Sequence, residues 1–143
     1  LANGREKPIF VLGRSLGGAV SIYLATTEAF KHEIRGLILE NTFTSIQDMV
    51  EVLFPPLANL KFMHRNFWPS KVRISSLETP TLFVRSLRDE IVPTVQMQQL
   101  IGEAHNMRIK MEHEIPQGTH NVAWEVDPPA YFGKLNEFFN RLK

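Results

Sequence analysis

Residues 9–18 read IFVLGRSLGG, a four-residue apolar run followed at once by a serine between glycines. A short apolar run that ends at glycine is typical of a buried strand. Apolar residues at helical spacing then follow, and we expect them on the buried face of a helix: Leu16, Ala19, Val20, Tyr23 and Leu24. The stretch therefore predicts a strand, a tight turn that carries Ser15, and a helix. In that context G-x-S-x-G is the nucleophile elbow of a serine hydrolase.

The tightness of this turn explains its glycines. A side chain at Gly13 or Gly17 is expected to collide with the neighbouring strand or helix, and the turn pushes the Ser15 hydroxyl out at the end of the sheet. The next residue, Leu16, offers a backbone N–H at the start of the helix, where free donors and the helix dipole suit a developing oxyanion. Leu16 is thus the predicted oxyanion-hole residue. A plain glycine-rich turn is the alternative interpretation.

Length and composition limit the classes of protein that fit. The 143 residues are 43% hydrophobic with a formal net charge of +1, which suits at most one domain and gives no reason to expect nucleic acid. The absence of cysteine excludes disulfides and cysteine catalysis. The serine strand begins at residue 9, too early for a complete hydrolase sheet. We therefore expect residues 1–143 to form a partial domain.

The rest of the chain predicts alternating strands and helices. Apolar runs at 37–39 and 81–84 fit strands buried on both faces of a parallel sheet. Residues 94–104 have helical periodicity, and 108–115 alternate as a half-exposed edge strand does. Asp127 and Pro128 predict the start of a last helix, whose apolar face carries Tyr131, Leu135, Phe138 and Leu142. The fold class is α/β, a mostly parallel sheet flanked by helices.

Residues 41–77 interrupt this alternation. The segment is too long for a simple connection and is rich in large apolar side chains, so we predict a helical lid over the site. Phe62 and Trp68 are the predicted substrate-binding residues. Four cations give residues 52–77 a local charge of +4: Lys61, Arg65, Lys71 and Arg73. Such a surface suits an anionic membrane or an acyl chain, whereas core packing beneath a solvated rim is the alternative.

Chain order selects partners for the serine. A serine hydroxyl needs a histidine to take its proton, and the histidine needs a carboxylate to orient it. In the hydrolase fold the order is Ser, acid, His. Asp89 lies in the turn after the 82–86 strand and His120 in the turn after the last strand, so we predict both as catalytic, with Glu90 the competitor of Asp89. No histidines have metal-ligand spacing with a carboxylate, and we expect neither a metal nor another cofactor.

Three stretches together resemble the alpha/beta-hydrolase domain-containing protein 13 family, the Bem46-like serine hydrolases: GRSLGG at 13–18, ENTFTSI at 40–46 and GTHN at 118–121. The resemblance runs from about residue 9 to the C-terminus and implies the C-terminal half of an alpha/beta-hydrolase fold. It implies Ser15 as nucleophile, Asp89 as charge-relay acid and His120 as base. It also implies an N-terminal half that holds a membrane anchor and the second oxyanion donor, and hence membrane association.

The expected activity is hydrolysis of an acyl ester or thioester through an acyl-serine intermediate. The expected substrate is an acylated small molecule or an acylated protein, and the family resemblance adds protein depalmitoylation. The predicted membrane contact runs through the lid and the anchor. Two alternatives stay open, because a serine peptidase of the prolyl-oligopeptidase type shares the elbow and the triad order, and a non-catalytic interaction protein shares the fold. The 143-residue chain alone is expected to be inactive.

Overall fold

A four-stranded parallel sheet forms the centre of the computed structural model, which describes residues 7–53 and 68–143. Its strands are β1 (Ile9–Arg14), β2 (Ile34–Glu40), β3 (Thr81–Ser86) and β4 (Lys110–Ile115), and they lie side by side in that order. The predicted parallel sheet is confirmed. Because the strands are parallel, their carboxyl ends share one edge, and the loops that follow all four strands begin there.

Helices cover both faces of the sheet. Those described are α1 (Leu16–Ala25), α2 (Ile46–Leu53), α3 (Ser70–Ile74), α4 (Thr94–Glu103), α5 (Ala123–Val126) and α6 (Pro128–Arg141). On one face α1, α3 and α4 pack against Leu37, Leu39 and Phe83. On the other face α6 packs against Ile38, Leu82 and Val84. Successive side chains of a strand point to opposite faces, so residues 37–39 of β2 and 82–84 of β3 are apolar and buried on both faces, as continuous apolar runs predict.

The buried face of α1 differs from the predicted one. Leu16 is 49% exposed and Tyr23 is 40% exposed, and of the five predicted residues only Ala19 is buried. The buried positions hold mostly small residues: Gly18, Ala19, Ser21, Ile22 and Ala25. Small side chains allow α1 to lie close to the sheet and its loops, and a Cβ at Gly18 would come within 2.5 Å of the Thr42 side chain. A prediction from the large apolar residues of α1 therefore identifies the wrong face of this helix as buried.

The later elements agree with the sequence patterns. Helix α4 begins at Thr94, with Met97 and Leu100 buried. Strand β4 alternates between exposed residues and the buried Met111 and Ile115, as expected at a sheet edge. Asp127 caps α6, because its Oδ1 accepts a hydrogen bond of 3.1 Å from the Ala130 N–H. These predictions are confirmed.

The predicted lid segment is described only at its two ends. Residues 41–44 are buried, and Ile74 and Leu77 belong to the core. The part of the predicted lid segment that lies outside the core is therefore shorter than residues 41–77. The Lys71 N–H donates to the Thr44 carbonyl at 3.0 Å, which places the two ends side by side. The lid itself stays a prediction. Three of its predicted residues lie outside the described residues: Lys61, Phe62 and Arg65.

In the described residues, the outer edge of β1 has no partner strand. Ile9 and Leu12 on this strand are 48% and 53% exposed. Since exposed apolar edges promote association, we expect residues 1–143 expressed alone to form oligomers, and Leu12→Lys to shift them toward monomer. Size-exclusion chromatography with light scattering measures this. Val72→Lys, at a position on α3 that is 73% exposed, is the matched control and is expected to change nothing. A monomeric wild-type chain contradicts the expectation.

Candidate active site

Ser15 occupies a strained turn between β1 and α1. Its backbone angles are φ 53° and ψ −122°, a region that residues with side chains rarely adopt. Hydrogen bonds hold it from both sides, since the Ser15 N–H donates to the Glu40 carbonyl at 3.0 Å and the Thr42 hydroxyl donates to the Ser15 carbonyl at 2.7 Å. The Ser15 side chain makes no helix-capping bond. The turn thus has the strained serine that an elbow requires, with a hydroxyl that is not used to cap α1.

The glycines around Ser15 have different roles from those predicted. A Cβ at Gly13 would overlap the Gly17 carbonyl and the Ser21 hydroxyl, so the first glycine is required. A Cβ at Gly17 would meet no atom of the described residues within 4 Å, so the predicted collision there is wrong. The residue that the close packing of α1 constrains is Gly18, which lies against Thr42. Gly17 lies on the exposed side of the first helical turn.

Glu40 connects the elbow to the opposite face of the sheet. Its carbonyl holds the Ser15 N–H, and its buried carboxylate accepts a hydrogen bond of 2.6 Å from the Tyr131 hydroxyl on α6. Burial, followed by this contact, raises the pKa of Tyr131 well above its usual value, so the phenol remains a donor. The end of β2 beside the nucleophile is therefore anchored to α6.

His120 and Asp89 form a buried pair. The His120 Nδ1 lies 2.8 Å from the Asp89 Oδ2, and their side chains are 6% and 0% exposed. The other carboxylate oxygen accepts the N–H groups of Ile91 at 2.9 Å and Val92 at 2.7 Å. These bonds fix the carboxylate in its loop. With Nδ1–H donating to Asp89, the His120 Nε2 is the nitrogen left to accept a proton.

Glu90 contacts the backbone of His120 instead of its ring. The Glu90 Oε2 accepts a hydrogen bond of 3.1 Å from the His120 N–H. The backbone N–H of Glu90 itself, and then that of His120, hold the pKa of this carboxyl below its usual value. The two neighbouring acids therefore contact different parts of His120: Asp89 contacts the imidazole, and Glu90 contacts the main chain.

The loop that carries His120 returns across the sheet toward Ser15. Strands β2 and β3 separate β4 from β1. The Arg14 Nη1 nevertheless donates to the Asn121 carbonyl at 2.8 Å, so the residue before the serine contacts the residue after the histidine. The structure describes no hydrogen bond between the Ser15 hydroxyl and the His120 ring. Catalytic hydrogen bonds of this kind are often long without substrate and shorten in the reacting complex.

Leu16 and Trp68 complete the described part of the predicted site. Leu16 is the first residue of α1, so its N–H has no carbonyl acceptor within the helix. Trp68 packs against Phe43 and its neighbours, and its ring meets the Tyr23 ring edge-on at 5.6 Å. These contacts place Trp68 beside α1, the helix that begins at the elbow. Its role in substrate binding stays a prediction, and Phe62 lies outside the described residues.

Three further features of the described ranges concern metal binding, the charge of His113 and membrane crossing. No group of three or more His, Asp or Glu side chains in residues 7–53 and 68–143 is arranged to hold a metal ion. His113 is half-buried within β4, where burial and then Lys134 lower its pKa, so it is uncharged at neutral pH. Across the same residues, no helix combines the length and apolarity that a membrane crossing requires.

Asn41 is a site residue that the sequence patterns did not indicate. It lies directly after β2, buried, at the same sheet edge as Ser15, Asp89 and His120. Its side chain contacts the loop that carries His120. The signal in the sequence was its position, because a polar residue immediately after a buried parallel strand lies at the edge where ligands bind.

No protein-family model matches the chain, but several curated proteins are similar to it. It is 37% identical over 118 residues to the uncharacterized membrane protein YNL320W of Saccharomyces cerevisiae, covering 81% of this chain and 40% of the relative. It is 38% identical over 146 residues to the alpha/beta hydrolase domain-containing protein WAV2 of Arabidopsis thaliana, covering 93% and 47%. It is 41% identical over 133 residues to protein bem46 of Schizosaccharomyces pombe, covering 91% of this chain and 42% of the relative. The chain thus spans less than half the length of these relatives.

Solved structures with the same fold include two enzymes from Pyrococcus. An acylaminoacyl peptidase of Pyrococcus horikoshii has a TM-score of 0.72 and 16% identity, covering 96% of this chain and 24% of its own. An esterase of Pyrococcus furiosus has a TM-score of 0.71 and 18% identity, covering 96% and 54%. At these identities the likeness establishes the fold alone. The predicted alpha/beta-hydrolase fold is confirmed.

Proposed function

This chain belongs to the Bem46-like family of alpha/beta-hydrolases, and we propose that it carries the Ser15, His120 and Asp89 triad of a serine hydrolase acting on acyl esters or thioesters. The observation that carries the proposal is the buried Asp89–His120 pair, which lies at the same sheet edge as a strained serine. The Arg14–Asn121 bond joins the two loops involved. Catalysis explains a strained serine beside a buried acid–histidine pair better than stability does.

The proposed reaction has two halves. The Ser15 Oγ attacks the acyl carbon while the His120 Nε2 takes the hydroxyl proton, and the Leu16 N–H donates to the oxyanion that forms. The tetrahedral intermediate then collapses, and the departing alcohol or thiol leaves with the proton from His120. Water next attacks the acyl-serine with His120 as base, and its proton passes to Ser15 as the acid is released. Asp89 orients the imidazole and stabilises its charged form.

The apolar surroundings of the elbow support an acyl substrate. One apolar cluster joins α1 and α2 beside the elbow, and its members are Ala19, Phe43, Met49, Trp68 and Val92. An apolar cluster of this kind beside a serine nucleophile suits a hydrocarbon chain. The fold likeness to an acylaminoacyl peptidase supports the peptidase as the second candidate. We further propose that the protein is membrane-associated, because of the family resemblance and because a yeast relative is named as a membrane protein. Protein depalmitoylation is the most specific activity that we propose for it.

A labelling experiment tests the proposal in the full-length protein that contains this chain. A fluorophosphonate probe should modify Ser15, and trypsin should release the label on residues 15–31, a peptide that also contains Ser21. Fragmentation must therefore assign the modified serine. Rates with esters of increasing acyl length, an acyl thioester and a peptide anilide then separate the candidates. Faster cleavage of the anilide favours the peptidase, and an unlabelled protein contradicts the hydrolase.

We expect Trp68 to influence acyl-chain preference. Trp68→Ala removes a large apolar surface beside α1, and each 1.4 kcal/mol of lost contact with one substrate changes discrimination by about tenfold. The measurement is kcat/KM across a series of acyl lengths. Val72→Ala, at an exposed position on the nearby α3, is the matched control. An unchanged preference together with a lower Tm shows that Trp68 serves packing alone.

A further inference from the structure

Asn41 adopts a backbone conformation that few residues tolerate. It follows β2 directly, with φ at 46° and only 2% of its surface exposed. Its N–H donates to the Val84 carbonyl at 3.1 Å, which continues the pairing of β2 with β3 by one residue. Asparagine enters this left-handed region more readily than most residues with side chains. The conformation points its side chain across the ends of the neighbouring strands.

The side-chain amide of Asn41 is fully used. Its Oδ1 accepts the Ser86 N–H at 2.8 Å, and its Nδ2 donates to the Ser86 hydroxyl at 3.0 Å. The same Nδ2 lies 3.2 Å from the His120 carbonyl and 3.4 Å from the Thr119 carbonyl. An N–H on one side and two carbonyls on the other fix which end of the amide is oxygen. Asn41 therefore ties the end of β3 to the loop that carries His120.

Asn41 and Glu90 hold the same peptide unit. The Thr119 carbonyl faces Asn41, while the N–H of the same peptide, on His120, donates to Glu90. In a trans peptide these two groups point in opposite directions, so the two side chains approach the loop from opposite sides. The His120 ring is held separately by Asp89. Its backbone position and its ring orientation are thus fixed by different residues.

We propose that Asn41 is a positioning residue that sets the His120 backbone for proton transfer, an inference that rests on the proposed function. Aspartate at this position would direct a carboxylate at two carbonyl oxygens and lose both donors. Glycine would permit the backbone angle but remove the amide. A displacement of about 1 Å in such a group costs about a hundredfold in rate. The expected loss is therefore kinetic as well as structural.

The test compares Asn41→Asp, Asn41→Gly and wild type in the full-length protein. End-point fluorophosphonate labelling counts competent sites, and kcat is then expressed per labelled site. We expect both variants to lose about 10- to 100-fold in kcat per site, with KM within about twofold. Asn106→Asp is the matched control, because Asn106 donates to the Ser75 carbonyl at 2.7 Å on the surface, and it should leave kcat unchanged.

Three outcomes overturn the inference in distinguishable ways. Unchanged kcat per site with fewer labelled sites means that Asn41 serves folding alone. Unchanged kcat with unchanged site number means that His120 needs no such support. Absence of Ser15-dependent labelling in wild type removes the proposed function, and the inference with it. If Asn41→Asp does not fold, Asn41→Gly provides the same comparison, because glycine accommodates the backbone angle.

Discussion

Ser15→Ala should abolish fluorophosphonate labelling of the full-length protein and lower kcat by about four to six orders of magnitude. The hydroxyl is the proposed nucleophile, and without it His120 and Asp89 have no group to activate. Folding should be little affected, because alanine keeps the Cβ of Ser15. The hydrogen bonds to Glu40 and Thr42 are made by the backbone N–H and carbonyl of residue 15 and do not involve the Ser15 hydroxyl. The strain of the positive φ is therefore common to both proteins.

Ser21→Ala is the matched control for this experiment. Ser21 is buried in α1, the helix that follows Ser15, and lies on the same tryptic peptide as Ser15. The Ser21 hydroxyl donates to the Gly17 carbonyl at 2.8 Å. Its loss removes one hydrogen bond, a cost of about 1 kcal/mol in stability, and leaves the nucleophile in place. Labelling that persists in Ser15→Ala, or that disappears only in Ser21→Ala, contradicts the assignment of the nucleophile.

The parts of the molecule that the sequence predicts correctly are those that local chemistry determines. A short apolar run followed by glycine and serine specifies strand and turn, and Asp127 before Pro128 specifies a helix start. The positions of Asp89 and His120 after successive strands then follow from topology, since parallel strands end at one edge. Their 2.8 Å contact joins residues that are 31 positions apart, but the order of elements suffices to bring them together.

The parts that the sequence does not predict depend on contacts between distant segments. The buried face of α1 is determined by how closely the helix approaches Thr42, and its small residues carry almost no hydrophobic periodicity. The position of Asn41 after β2 indicates the sheet edge, but its partners are 45 and 79 positions away, so no local pattern reveals which groups it binds. Gly17 and Gly18 are adjacent in sequence, and only the packed structure shows which of them is constrained. Packing of this kind requires coordinates.

Asp89→Asn should lower kcat by about ten-thousand-fold, whereas Glu90→Gln should change it by no more than about fivefold. The N–H groups of Ile91 and Val92 bind one oxygen of Asp89, so the oxygen of the new amide is expected to stay there. Its NH₂ group then faces the His120 Nδ1. That nitrogen must become the acceptor, which puts the proton on Nε2 and prevents it from accepting the proton of Ser15.

Glu90→Gln is the matched control, because it removes a neighbouring charge but keeps an oxygen for the His120 N–H. Only the charge-assisted part of that hydrogen bond is lost. The measurements are kcat, KM and the rate of fluorophosphonate labelling, with Tm recorded to detect unfolding. Asp89→Asn should retain substrate binding and lose labelling rate, as a wrong histidine tautomer requires. Activity that survives in Asp89→Asn but fails in Glu90→Gln shows that Glu90 orients the base and Asp89 only shapes its turn.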